Sequence, residues 1–242
     1  MKAPPDGYTL LLVGASSAIN ATLYDELNFN FLRDIAPVAG VISIPFIIVL
    51  NPSFPAKTAS KFNGYARANP GKVIMASGGN GTAGHLSGEL FKMMADVNMV
   101  HAPYRGEGPA LTDLLGGHVQ AMFGTMPASI EYVRAGKLRP IVVTSASRSE
   151  LLPDLPTVGD FLPGYETIAG QGVGAPKDTP AEIIDRLNKE INAGLAEPNF
   201  KARLADMGGT VLAGSPTDFG KFMAVETEKW AKVIKFAGIK PE

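Results

Sequence analysis

One stretch constrains the fold of this chain more than any other: Ser77-Gly78-Gly79-Asn80-Gly81-Thr82-Ala83-Gly84-His85-Leu86. The apolar run Val73-Ile74-Met75-Ala76 before it reads as a buried strand. The segment after it carries apolar residues at Leu86, Leu90, Phe91 and Met94, the spacing of an amphipathic helix. A strand, a glycine-rich turn and a helix start leave several backbone N–H groups without intrahelical partners. Their partial positive charge adds to the helix dipole and makes a seat for a carboxylate or a phosphate.

The same unit recurs along the chain. Residues 8–13 read as a buried strand, followed by the small-residue turn Gly14-Ala15-Ser16-Ser17 and a short helix over 18–24. A strand over 98–102 leads through Pro103-Tyr104-Arg105-Gly106 to a helix over 109–115, and a strand over 119–123 leads through Gly124-Thr125-Met126-Pro127 to a helix over 128–135. A further strand covers 138–144. Strands alternating with helices of about ten residues predict a parallel, doubly wound α/β sheet. In such sheets ligands sit at the carboxyl ends of the strands, where all four turns lie.

Two segments read as crossings. Residues 35–50 are apolar but broken by Pro37 and Pro45, which predicts two strands or one strand passing between lobes. Residues 168–175 form a glycine-laced strand suited to a second crossing. Thr179-Pro180-Ala181-Glu182 has the form of a capping box, and Ser215-Pro216-Thr217-Asp218 caps a last helix. The apolar stripe of that helix, Phe219, Phe222, Met223, Trp230, Val233 and Ile234, reads as a docking face rather than a cofactor box.

Bulk properties exclude several function classes. The 242 residues, 45% of them hydrophobic, suffice for one large domain or two small ones. A formal net charge of -1 argues against a nucleic-acid or polybasic membrane surface. The chain has no cysteine, so thiol catalysis, disulfides and thiolate metal sites are all excluded. The longest apolar run, Phe46-Ile47-Ile48-Val49-Leu50, is a core strand far short of the roughly 20 residues that span a bilayer. The opening residues Met1-Lys2-Ala3-Pro4-Pro5-Asp6-Gly7 do not have the pattern of a secretory leader and read as a start within a domain.

Catalytic readings are weak. Gly79-x-Gly81-x-x-Gly84 matches the dinucleotide fingerprint, yet the next strand ends His101-Ala102-Pro103-Tyr104-Arg105 without the ribose-binding carboxylate. Arg105 would suit a ribose phosphate, so an NADP-dependent α/β enzyme stays open as the alternative. No G-x-S-x-G elbow and no metal-ligand spacing of His85, His101 and His118 is present, and those histidines read as one helix-start and two strand-edge residues. Glu107, Asp113, Glu131 and Asp154 fall where solvated surface residues would. Four donor-rich turns at one sheet edge and no base describe a binder's cleft.

An ordered set of motifs carries a family resemblance. It comprises Pro5-Asp6-Gly7-Tyr8-Thr9-Leu10, the stretch 77–86, Pro103-Tyr104-Arg105-Gly106, Leu114-Leu115-Gly116-Gly117-His118-Val119, Ala135-Gly136-Lys137-Leu138-Arg139, Leu152-Pro153-Asp154-Leu155-Pro156-Thr157 and Ala175-Pro176-Lys177-Asp178-Thr179-Pro180. Over its whole length the chain resembles a Bug-type (TctC-like) extracytoplasmic solute-binding protein of the tripartite tricarboxylate transporter class. The resemblance implies a periplasmic, monomeric, two-lobed Venus-flytrap binder of the type II-like class, with no cofactor or metal. It also implies a small carboxylate ligand and delivery to a membrane permease; presentation of the ligand to a sensor kinase is a third reading.

By position, Ser77, Gly79, Asn80, Gly81 and Thr82 match the second-lobe ligand loop, while Ala15 and Ser16 match a first-lobe turn. Tyr104, Thr125 and Gln171 complete the expected contacts. The chain departs from the family in lacking the first strand, ligand loop and helix, in having Gly124 where an aspartate is frequent, and in having Gln171 where a tryptophan is common. The expected lobes are residues 1–43 plus 168–242, and residues 44–167.

Overall fold

The computed structural model describes residues 3–24 and 26–241. These fall into two compact units, one of Met1–Ile44 with Ala169–Lys235 and Pro241, the other of Pro45–Ile168 with Phe236–Lys240. The chain passes from the first to the second inside a single 16-residue strand that includes Pro37 and Pro45.

The first unit is built from β1 (Leu11–Gly14), α1 (Ala15–Leu23), α2 (Phe31–Asp34) and the first part of β2 (Ile35–Leu50). After the second unit it resumes with β7 (Ile168–Pro176), α7 (Ala181–Ala196), α8 (Pro198–Asp206), β8 (Thr210–Val211) and most of α9 (Pro216–Ala237). The second unit contains the rest of β2, then α3 (Ala59–Ala68), β3 (Ile74–Ser77), α4 (Ala83–Ala95), β4 (Val100–Pro103), α5 (Glu107–Gly116), β5 (Ala121–Thr125), α6 (Met126–Arg134) and β6 (Arg139–Val143).

The sheets are mixed. In the second unit β3 pairs parallel with β4 and with β5, the arrangement the strand–helix alternation predicts. Antiparallel pairing enters through β2, which bonds to β5 on one side and β6 on the other. In the first unit β1 runs antiparallel to β7 and β8 antiparallel to β2. The parallel order therefore belongs to strands returned by a helix, whereas β2 enters each sheet directly and runs the other way.

Three local expectations change. Residues 8–13 do not form a buried strand: the strand begins at Leu11, Tyr8 is 95% exposed, and of β1 only Val13 is buried. Thr179 does not cap α7; its hydroxyl turns back to the Pro176 carbonyl at 2.8 Å, and the helix starts on Pro180 without a side-chain cap. The glycines of β7 serve packing, because a Cβ at Gly170 or Gly172 would lie 2.2 or 2.3 Å from the rings of Phe222 and Phe219 on α9. Ser215 does cap α9, accepting from the Asp218 N–H at 3.1 Å.

Candidate ligand-binding site

In the second unit the turns after β3, β4 and β5 lie at one edge of the sheet because those three strands are parallel. The β3 and β4 turns are hydrogen-bonded together, with the Tyr104 N–H on the Ser77 carbonyl and the Gly106 N–H on the Gly78 carbonyl, both at 3.0 Å. Of the expected contacts, Ser77, Gly79, Asn80, Gly81, Thr82, Tyr104 and Thr125 all belong to this edge. Ala15, Ser16 and Gln171 belong to the first unit, where Gln171 of β7 stands opposite Gly14 of β1, next to Ala15.

Helix α4 carries the glycine loop. Thr82 is its N-cap, accepting from the His85 N–H at 3.4 Å while donating to the Gly79 carbonyl at 2.8 Å. All of its residues from Gly84 to Phe91 are buried, unusual for a helix. Gly84 explains part of this: a Cβ there would stand 2.7 Å from the Phe123 carbonyl of β5, so only glycine lets the helix lie against the strand. Gly81 has φ 70, in the left-handed region that reverses the chain into the helix.

Inside the loop many donors are already engaged. The Gly79 N–H meets Ser77 Oγ at 3.2 Å, the Thr82 N–H meets the Gly79 carbonyl at 3.3 Å, and the Gly81 N–H meets His85 Nδ1 at 3.1 Å. The Asn80 side chain donates to the Lys240 carbonyl at 2.9 Å. Among the described residues, no protein acceptor faces the N–H groups of Asn80, Ala83 and Gly84. Those three groups, at the positive end of a 13-residue helix, are the donors an anion would meet. Ala83 and Gly84 are not among the contacts expected from the sequence, although their place at N1 and N2 behind a capping threonine is the available signal.

Several side chains play parts other than those expected. Ser77, anticipated as a ligand contact, is fully buried, and its Oγ joins His101 Nε2 at 2.7 Å and the Gly79 carbonyl at 3.0 Å. The Tyr104 hydroxyl donates to Asp113 at 2.6 Å, and that accepting carboxylate pushes its pKa up to about 12. Asp113 is therefore not simply a solvated surface carboxylate. Neither is Glu107, whose Oε1 accepts the Thr125 N–H at 2.9 Å and whose Oε2 accepts the Thr125 hydroxyl at 2.5 Å. The protein's own carboxylate thus sits on Thr125, the residue just before α6.

The histidines are not isolated edge positions. The rings of His85 and His101 stack with centroids 3.6 Å apart and 7° between planes. Burial, reinforced by repulsion from His85, lowers the His101 pKa to about 4. Glu89, 4% exposed, lies 3.6 Å from His85 Nε2 and accepts from Lys92 at 2.8 Å. Burial would push this carboxyl up, yet His85 and Lys92 together bring it below its usual range. Among the described residues no group of three or more His, Asp or Glu side chains is placed to hold a metal, and no helix is long and apolar enough to cross a membrane.

Comparison with known proteins identifies the family. Residues 1–239 match the family described as tripartite tricarboxylate transporter family receptor. The chain is 35% identical over 244 residues to Protein BugT of Bordetella pertussis, covering 99% of this chain and 74% of that protein. Among solved structures, R. palustris Rpa4515 with adipate superposes with a TM-score of 0.87 at 35% identity, covering 100% of this chain and 81% of that one. The periplasmic binding protein BugD gives 0.84 at 32% identity, covering 100% and 82%. The glycine spacing at 79, 81 and 84 therefore does not mark an NADP-dependent enzyme. The chain belongs to the tripartite tricarboxylate transporter receptor family, whose members are solute-binding receptors and not enzymes.

Proposed function

We propose that this receptor binds a small carboxylate in the periplasm and hands it to the membrane permease of a tripartite transporter. The observation that carries the reading is the set of N–H groups of Asn80, Ala83 and Gly84 at the start of α4, with no protein acceptor among the described residues. A carboxylate placed there accepts charge-assisted hydrogen bonds and needs no formal counter-charge. The adipate named with the Rpa4515 structure is a ligand of this class. Thr125 and Tyr104 border the donors, but each hydroxyl has a carboxylate partner, so their contribution is to shape. The same reading assigns Ala15, Ser16 and Gln171 of the first unit as a further set of ligand contacts.

Titration calorimetry with a broad panel of mono- and dicarboxylates, adipate included, tests the reading. Heat with at least one member, lost when Ala83 is replaced by proline and its N–H removed, is the expected result. Proline is accepted at the first helical position, so that variant keeps its fold. Absence of heat across the panel sinks the reading, and unchanged affinity in Ala83→Pro moves the ligand away from α4.

A further inference from the structure

Beneath the donor loop lies a polar cluster of buried His85, Glu89 and Ser77 with half-buried His101. The Gly81 N–H can only donate, so His85 Nδ1, 3.1 Å away, presents its lone pair. The imidazole proton then resides on Nε2, which faces Glu89 Oε1 across 3.6 Å. The ring plane is fixed by the His101 stack. His101 in turn reaches Ser77 Oγ, and that oxygen engages both the N–H and the carbonyl of Gly79. The two stacked imidazoles therefore hold the loop on either side of Asn80, one through Gly79 and the other through Gly81.

We propose that His85 is the positioning residue of this loop: by taking up the Gly81 N–H it fixes the backbone so that the N–H groups of Asn80 and Ala83 stay directed to the ligand. The inference rests on the carboxylate-binding reading above and adds which side chain makes that donor set. His85 itself has no free acceptor for the ligand to use, and at 3% exposure it makes no direct contact with solvent or solute. Its role is felt through Gly81. Without an acceptor there, a fourth N–H joins the competition for the anion and the turn loses the bond that sets its pitch.

Two variants separate this role from simple packing. His85→Asn places a carbonyl oxygen near the position of Nδ1 and keeps an acceptor for Gly81. His85→Gln reaches the position of Nε2, keeps a donor towards Glu89, and leaves the Gly81 N–H without a partner. Three readouts on the full chain decide the matter: ring nitrogen NMR shifts for the tautomer, Gly81 amide exchange without ligand, and adipate affinity by calorimetry. The wild type should show an unprotonated Nδ1. Gly81 exchange should rise about tenfold in His85→Gln and stay near wild type in His85→Asn, and adipate affinity should fall by a similar factor only in His85→Gln, the loss expected for one backbone hydrogen bond.

A protonated Nδ1 in the wild type, or equal Gly81 exchange in all three proteins, overturns the proposal. So does changed exchange with equal affinity in the two variants, because His85 would then hold the loop without positioning it for ligand. If neither adipate nor any other carboxylate in the panel binds wild type, the carboxylate reading fails and takes the ligand-directed part of the proposal with it. The exchange and tautomer results then still report whether His85 holds the loop.

Discussion

The chain contains two strand–turn–helix units with similar sequences of small residues, and they differ in what lies beneath them. The turn between β1 and α1 has Gly14 as N-cap with no side-chain cap, and Ser17 Oγ lies 3.5 Å from the Gly14 N–H. Only Val13 of its strand is buried, and Leu12 is 68% exposed. The turn between β3 and α4 has a threonine cap, a helix buried along its length, and the stacked histidines under its loop. Small residues at a sheet edge permit a donor turn; a buried polar cluster below the turn holds it in one shape.

The contrast can be broken at several points, from largest effect to smallest. Gly84→Val drives a side chain into the Phe123 carbonyl and should lift α4 from β5 at a cost of roughly 3 kcal/mol, read from urea unfolding. A change within 0.5 kcal/mol would mean that the helix does not depend on that approach. Gly81→Val puts a β-branched residue at φ 70, a strain of about 1–2 kcal/mol. Because the loop is at the surface of the unit, the expected outcome is a loss of carboxylate affinity of about tenfold or more with the fold retained; unaltered affinity would remove this loop from the site.

Thr82→Ala removes the cap of α4 and should cost about 1 kcal/mol. Ser17→Ala at the corresponding place in α1 should stay within about 0.5 kcal/mol: the two capping contacts are similarly long, but the Thr82 hydroxyl also donates to the Gly79 carbonyl at 2.8 Å. Equal losses at the two sites would erase the distinction between the turns.

A pH experiment sharpens the comparison further. The His101 pKa lies near 4 in the fold against 6.5 for the free side chain, so the unfolded chain takes up a proton that the folded one resists. Stability contributed by neutral His101 is complete above pH 6.5 and is lost as pH falls towards 4. The urea midpoint should decline through that window, and His101→Gln should flatten the decline. A decline of the same size in that variant would assign it to other groups. The smallest effect is expected for Gly14→Ala, where the nearest atom to a new Cβ is Gln171 Cγ at an ordinary 3.8 Å; the melting temperature should hardly move.

Several of these features were legible in the residues alone. The glycine loop, its flanking strand and helix, the capping threonine position and the parallel order of β3, β4 and β5 follow from local pattern and punctuation. The family was legible too, in an ordered set of motifs confirmed by the match over residues 1–239. The exposure of β1 was not, because an apolar run records what a strand can bury and not what is there to cover it.

What only the tertiary structure decided is which groups of the edge remain open to a ligand. Glu107 meets Thr125 across 18 residues of chain, and Ser77 meets His101 across 24. Those separations are produced by laying β4 and β5 on either side of β3, so no local pattern reports them. The loop stays the proposed anion seat, while the N–H groups without a protein acceptor among the described residues are those of Asn80, Ala83 and Gly84. The physical reason is that a hydrogen-bond donor is available only if nothing buried beside it accepts first, and burial is a property of the assembled sheet.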